Sequence, residues 1–177
     1  MACAYIGMGS NKGKRIKNAK EALGRIREEM RVEKVSSFYL TEPIKVNPVR
    51  EGFSNGVKGE WFVNCVLEVT TNQEPRELLR TLLKIEGKMG RIRIKEKKIS
   101  RIIDLDLLLY EEKIIKEKEL TLPHPLLHKR RFVLAPLTEI NPDVYHPLLK
   151  KPIKEILAAL TDKHAVEKIL GHQDVCS

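Results

Sequence analysis

The run ACAYIGMG, residues 2 to 9, is apolar and closed by glycines, the pattern of a short strand, and from residue 14 to 30 the period lengthens. There Ile16, Ala19, Ala22, Leu23 and Ile26 recur at the spacing of a helix with one buried side. VEKVSSFYLTEP alternates until Pro43 stops it. EWFVNCVLEVTT alternates again, with Phe62, Asn64, Val66 and Glu68 on one side and Trp61, Val63, Cys65, Leu67 and Val69 on the other. These read as two further strands. KVNPVREGFSNGVKG between them is long for a simple hairpin and reads as a working loop. Pro75 suits the first turn of a second helix, which Leu78, Leu79, Leu82, Leu83, Ile85 and Met89 carry to Gly90. A basic segment, RIRIKEKKISR, then leads into a strand, RIIDLDLLLY at 101 to 110, and helices are predicted around 132 to 140 and 153 to 160.

This order, β-α-β-β-α-β with a C-terminal helical extension, predicts an α+β fold: a ferredoxin-like sandwich with two helices on one face of an antiparallel sheet. No repeat, low-complexity tract or Gly/Ser linker interrupts it, so residues 1 to 177 are expected to form a single domain, with 161 to 177 as a peripheral tail. A chain of 177 residues can bury roughly 70% of its unfolded surface in one core.

Composition narrows the class. Apolar residues make up 42% and charged residues 32%, and no apolar run nears the roughly 20 residues that span a bilayer, so a soluble protein without a membrane partner is expected. MACAYIGMGSNKGKR lacks the basic leader and long apolar stretch of a secretory signal, which predicts a cytoplasmic location. Cys3, Cys65 and Cys176 form no C-x-x-C pair and read as reduced thiols rather than a disulfide framework or a zinc site. The net charge of +9 favours a polyanionic partner: nucleic acid, a phosphorylated metabolite or an acidic membrane surface.

Two motifs compete as chemistry. GMGSNKGKR is neither a phosphate loop nor a dinucleotide fingerprint. Gly7 and Gly13 enclose five residues where four are needed, Arg15 stands where Ser or Thr would bind magnesium, and Lys12 takes the place of a third glycine. It reads as a turn feeding a helix. In RIIDLDLLLY the alternation places Asp104 and Asp106 on one face and Ile103, Leu105, Leu107 and Leu109 on the other. Two such carboxylates either pair with Arg or Lys on an exposed sheet face, or hold one or two magnesium ions. Arg91, Arg93, Lys95, Lys97, Lys98 and Arg101 precede them, and PHPLLHKRRF brings His124 and Arg130 after a rigid turn. Metal plus guanidinium groups is what a triphosphate requires.

Taken together, G-S-N near the N-terminus, VSSFYLTEP, FVN, IEGKMGRIR, R-I-I-D-L-D-L-L and LPHPLLHKRRFVLAPLTEI closely resemble the 6-hydroxymethyl-7,8-dihydropterin pyrophosphokinases of folate biosynthesis, over about residues 3 to 160. The resemblance implies a ferredoxin-like α+β sandwich and an ATP-dependent enzyme that transfers pyrophosphate to the hydroxymethyl group of the pterin, giving AMP, with two Mg2+ ions. By matching position, Asp104 and Asp106 resemble the metal ligands, and Arg91 and Arg101, with Arg93 beside them, the arginines that grip the triphosphate. His124 and Arg130 resemble nucleotide contacts. Asn64 resembles the amide that reads the pterin edge, Phe62 and Phe132 the aromatic wall, and Thr41 and Pro43 the lining of that pocket. The chain departs from the family at Lys97, Lys98, Ile99 and Ser100, where a basic residue, Trp, Gly and Pro or a small residue are usual.

The rival reading is an RNA-recognition domain, which shares the fold and the positive charge. It requires exposed aromatics in a K/R-G-F/Y-G/A-F-V-like run, and none is present, so no nucleic-acid partner is expected. A nucleotidyltransferase ranks third, because Ser10 and Asp104 are far apart. A monomer is expected, with a dimer also open.

Overall fold

A computed structural model describes residues 1–42, 61–90, 102–162 and 164–170. In chain order they form β1 (Ala2–Ser10), α1 (Arg15–Glu29), β2 (Arg31–Val35), β3 (Phe38–Thr41), β4 (Phe62–Thr71), α2 (Pro75–Lys88) and β5 (Asp104–Tyr110). Two short pairs follow, β6 (Ile115–Lys116) with β7 (Thr121–Leu122), and β8 (Tyr145–His146) with β9 (Lys151–Pro152). Between and after these pairs come α3 (Arg131–Ile140), α4 (Ile153–Ala158) and β10 (Val166–Leu170). The main sheet runs β10-β3-β4-β1-β5 with β2 also paired to β4, and each of these pairings is antiparallel. The protein is therefore α+β, as its hydrophobic periods predict.

Alternation along β4 divides its side chains between two cores. Val63, Cys65, Leu67 and Val69 pack with Leu23 and Ile26 of α1 and Leu78, Leu82 and Ile85 of α2. Val66 faces the other way, toward Val133, Leu134 and Leu137 of α3 and Ile153 and Ile156 of α4. Both faces of the sheet are thus covered, where helices on one face were expected. The C-terminal extension supplies the second layer because α3 and α4 each carry an apolar side that packs on the sheet.

Three further expectations change. VEKVSSFYLTEP forms two strands rather than one, because Ser36 and Ser37 interrupt the pairing with β4. Ser36 Oγ accepts a hydrogen bond from Val66 N at 2.9 Å, and Ser37 donates from N and Oγ to Glu139 on α3. A side chain thus takes a place that a backbone group would hold in an unbroken ladder. The second change lies in β5. Its register with β1 passes from Tyr5↔Leu109 to Ile6↔Leu107, so Leu108 is an extra residue and a β-bulge shifts the alternation. Leu109 consequently packs with Leu108 against α3 and α4, not with Leu105 and Leu107 on the opposite face. Asp104 and Asp106 precede the bulge and keep a common face. Thirdly, the last helix ends at Ala158, short of residue 160. Beyond it, Val166–Leu170 pairs with β3 as the sheet's edge strand.

Candidate active site

β4 and β5 bring their polar residues to either side of β1. Gly9 on β1 lies opposite Asn64 on β4 and Asp104 on β5, while Gly7 lies opposite Val66 and Asp106. The central strand thus carries hydrogens where its neighbours carry side chains. The space left is a cavity of about 540 Å³, and its walls include Thr41, Phe62, Asn64, Asp104, Asp106, Arg130 and Phe132. Phe62 and Phe132 are half-buried and line this cavity. Asn64 is only 7% exposed, and its Nδ2 donates to Thr41 Oγ1 at 2.6 Å, which holds the amide in one orientation.

A second cavity of about 310 Å³ adjoins the first. Asp104 and Asp106 line it too, together with His124, Thr121, Lys118 and Glu119. The acid pair is therefore the wall shared by both spaces. Behind it, Glu86 of α2 is 1% exposed and accepts from Leu105 N at 2.8 Å, so helix and strand are joined between the two aspartates. Ser10 Oγ donates to Ile102 O at 2.6 Å, and Asn18 Nδ2 donates to Lys12 O at 2.8 Å and Ser10 Oγ at 3.3 Å. The G-S-N stretch is thus the end of β1, with Gly9 and Ser10 still in the strand where a turn was expected, and it also anchors the chain entering β5.

His124 is set by backbone contacts: its N donates to Leu108 O at 2.9 Å, and its Nδ1 accepts from Leu126 N at 3.2 Å. An accepting Nδ1 places the proton of the neutral ring on Nε2. Burial pushes the imidazole below its ordinary pKa; Asp106 opposes this, Arg130 adds to it, and Asp104 opposes it again. The Arg130 guanidinium lies 5.5 Å from the centre of the Phe132 ring, a cation–π contact that positions charge beside the aromatic wall.

Of the residues singled out from the sequence, Thr41, Phe62, Asn64, Asp104, Asp106, Arg130 and Phe132 meet in the larger cavity, and His124 joins the acids in the smaller one. Pro43, Arg91, Arg93 and Arg101 lie outside the described residues, as do Lys97, Lys98, Ile99 and Ser100. Gly9, Asn11 and Glu42 line the larger cavity and were missed. For Gly9 and Asn11 the G-S-N motif was the available signal. Glu42 had only its place between Thr41 and Pro43. Two half-buried carboxylates on one strand face suit a hard divalent cation that keeps part of its water and shares phosphate oxygens. Among the described residues, no cluster of three or more His, Cys, Asp or Glu forms a closed metal cage.

Two spaces that share an acid-lined wall, one of them flanked by aromatic rings, suit an enzyme that brings two substrates together. Comparison with known proteins makes this specific. Residues 5–142 match the model of the 7,8-dihydro-6-hydroxymethylpterin-pyrophosphokinase (HPPK) family, and the chain belongs to that family. It is 41% identical over 155 residues to the 2-amino-4-hydroxy-6-hydroxymethyldihydropteridine pyrophosphokinase of Aquifex aeolicus, covering 88% of this chain and 90% of that one. The Haemophilus influenzae enzyme of the same name is 33% identical, over 96% of this chain and 98% of its own length. Among solved structures, Plasmodium falciparum HPPK-DHPS with SDX-DHP superposes with a TM-score of 0.67 at 17% identity, over 89% of this chain. The chain spans 43% of that longer protein, and the likeness speaks for the fold. The chain is thus an ATP-dependent pyrophosphokinase of folate synthesis.

Proposed function

We propose that the two cavities are the two substrate sites of a pyrophosphoryl transfer, with Asp104 and Asp106 as the residues that would hold the metal. The sandwich is read as ferredoxin-like, with β1 lying between β4 and β5, and the site at one end of the sheet on the α3 side. The larger cavity takes the hydroxymethyldihydropterin: Phe62 and Phe132 flank the flat ring, Asn64 and Thr41 present donors and acceptors to its edge, and Pro43 belongs to the same lining. ATP occupies the smaller cavity and reaches the acids. His124 donates from Nε2 to a phosphate oxygen, and Arg130, with Arg91, Arg93 and Arg101, carries the charge a triphosphate needs. The metal is read as Mg2+, in two ions, which neutralises phosphate oxygens and leaves orientation to the protein.

Release of AMP requires attack at the β-phosphorus. The pterin hydroxyl oxygen forms the new P–O bond, the bond from the β-phosphorus to the bridging oxygen of the α-phosphate breaks, and AMP leaves with that oxygen. The hydroxyl proton passes to solvent. No side chain of this site is assigned as the base, so positioning and charge neutralisation supply the acceleration. A monomer in the cytoplasm is part of the same reading.

One observation carries it: Asp104 and Asp106 line both cavities at once. The test is direct. Incubated with ATP, Mg2+ and the reduced hydroxymethylpterin, the protein should form AMP and the pterin pyrophosphate in equal amounts. Formation of ADP, or AMP without a phosphorylated pterin, overturns the assignment.

A further inference from the structure

The floor of the larger cavity is β1, and two of its residues there, Gly7 and Gly9, are glycines. Backbone conformation does not require them: among the described glycines only Gly13 and Gly90 have positive φ. Space is therefore the reason, and the two differ in what a side chain would meet. A Cβ on Gly7 would lie 3.3 to 3.5 Å from the terminal atoms of Leu108, a flexible apolar end that can give. On Gly9 it would lie 2.6 Å from Asn64 Oδ1, closer than such contacts occur. Asn64 cannot yield freely, because it is 7% exposed and its Nδ2 is bound to Thr41 Oγ1 at 2.6 Å. Moving Oδ1 means turning the amide and breaking that bond.

We propose that Gly9 is a positioning residue of the heterocycle site: its missing side chain leaves room for the Asn64 amide in the plane that the bond to Thr41 sets. Held so, the amide offers Oδ1 and its second Nδ2 hydrogen to the amino-oxo edge of a flat bicyclic heterocycle lying over the bare strand. Its register places Gly9 opposite Asp104 on one side and Asn64 on the other. The proposal rests on the reading that Asn64 meets the pterin.

Four proteins test it: the wild type, Gly9→Ala, Asn64→Ala and the double variant. Affinity for the reduced hydroxymethylpterin is measured by calorimetry with Mg2+ and a non-hydrolysable ATP analogue, and nucleotide affinity is measured separately. Asn64→Ala and Gly9→Ala should each weaken pterin binding about 10- to 100-fold, the loss expected when a buried hydrogen-bonding group is misplaced. Nucleotide affinity should stay within about twofold. The double variant should be no weaker than Asn64→Ala alone, because the oxygen that the new Cβ would strike is gone. Undiminished pterin affinity in Gly9→Ala beside a loss in Asn64→Ala overturns the proposal and leaves the pterin reading standing. Undiminished affinity in Asn64→Ala overturns both. A loss of nucleotide affinity in Gly9→Ala equal to the pterin loss shows general distortion and also overturns it. Should Gly9→Ala fail to fold, the double variant must still fold; if it does not, the collision with Asn64 is not the cause and the proposal falls.

Discussion

Among the described residues, Asp104 and Asp106 differ from the other surface acids in where they stand. Each is half-buried on a strand whose remaining residues are core, and each borders two cavities. An acid there is stable when a cation or donors meet it, and the cluster at hand includes His124 and Arg130, whose charges act on one another. Replacing either aspartate by Asn keeps the volume and removes the charge. Turnover to AMP should fall at least about 10³-fold for each, the scale of losing a group that stabilises transition-state charge. Circular dichroism and melting should remain close to wild type, and a variant retaining more than a tenth of the activity would show that the residue holds no metal. The neutral His124 ring carries its proton on Nε2, because Nδ1 accepts from Leu126 N, and burial lowers its pKa from the ordinary value.

At the scale of elements, α3 is the piece that turns a two-layer sandwich into an enclosed site. It begins at Arg131, beside Arg130 and Phe132, and near its other end Glu139 clamps it to the sheet. Glu139 accepts from Ser37 N at 3.0 Å, Ser37 Oγ at 2.6 Å, Tyr39 Oη at 2.9 Å and Lys168 Nζ at 2.8 Å, so one carboxylate joins α3, β3 and β10. Desolvation raises the Glu139 carboxyl, but the bonds from Lys168, Ser37 and Tyr39 outweigh it and hold the group below its ordinary pKa. Its stabilising contribution is therefore complete above the ordinary glutamate range and is lost as the pH falls through the lower, folded value. Glu139→Gln should cost about 1–3 kcal/mol at pH 7, measured by urea unfolding. The gap from wild type should narrow as the pH drops below about 4.3. A gap that is unchanged at pH 3, or that widens there, would show that the charged hydrogen bonds are not what holds the helix.

For the whole molecule, substrate binding and stability are linked, because the two cavities lie between elements that must be packed together to exist. A ligand that binds the folded state alone stabilises it by mass action, about 2.7 kcal/mol at a free concentration 100 times its Kd. For a domain of this size that corresponds to a rise in Tm of roughly 5–10 °C. A non-hydrolysable ATP analogue with Mg2+ should produce such a rise, and EDTA should abolish it if the acid pair reaches the nucleotide only through metal. A shift of equal size in EDTA would mean that the arginines and His124 bind the triphosphate unaided. The net charge of +9 acts at this same scale, drawing polyanionic substrates toward the molecule rather than selecting among them.

Much of this was legible in the order of residues. Local periods are set by which side of a helix or strand must leave water, so α1, α2, β1, β4 and β5 appear in the sequence where they stand in the fold. The same alternation put Asp104 and Asp106 on one face, and the motifs around them pointed to one family, whose model matches residues 5–142. What the sequence could not determine depends on contacts between distant segments. Ser36 and Ser37 break a strand because Glu139 and Val66, far along the chain, offer them partners. The extra residue at Leu108 turns Leu109 over, since register is decided by the neighbouring strand β1 and not by β5 itself. Gly9 reads as one glycine of a turn until the sheet places it 2.6 Å, measured from a would-be Cβ, from Asn64 Oδ1. Sequence alone determined which residues are candidates for the chemistry, because side-chain type and period are local properties. Tertiary structure alone decided that Asn64, Gly9 and Asp104 lie side by side across three strands, because adjacency in a sheet is a property of pairing.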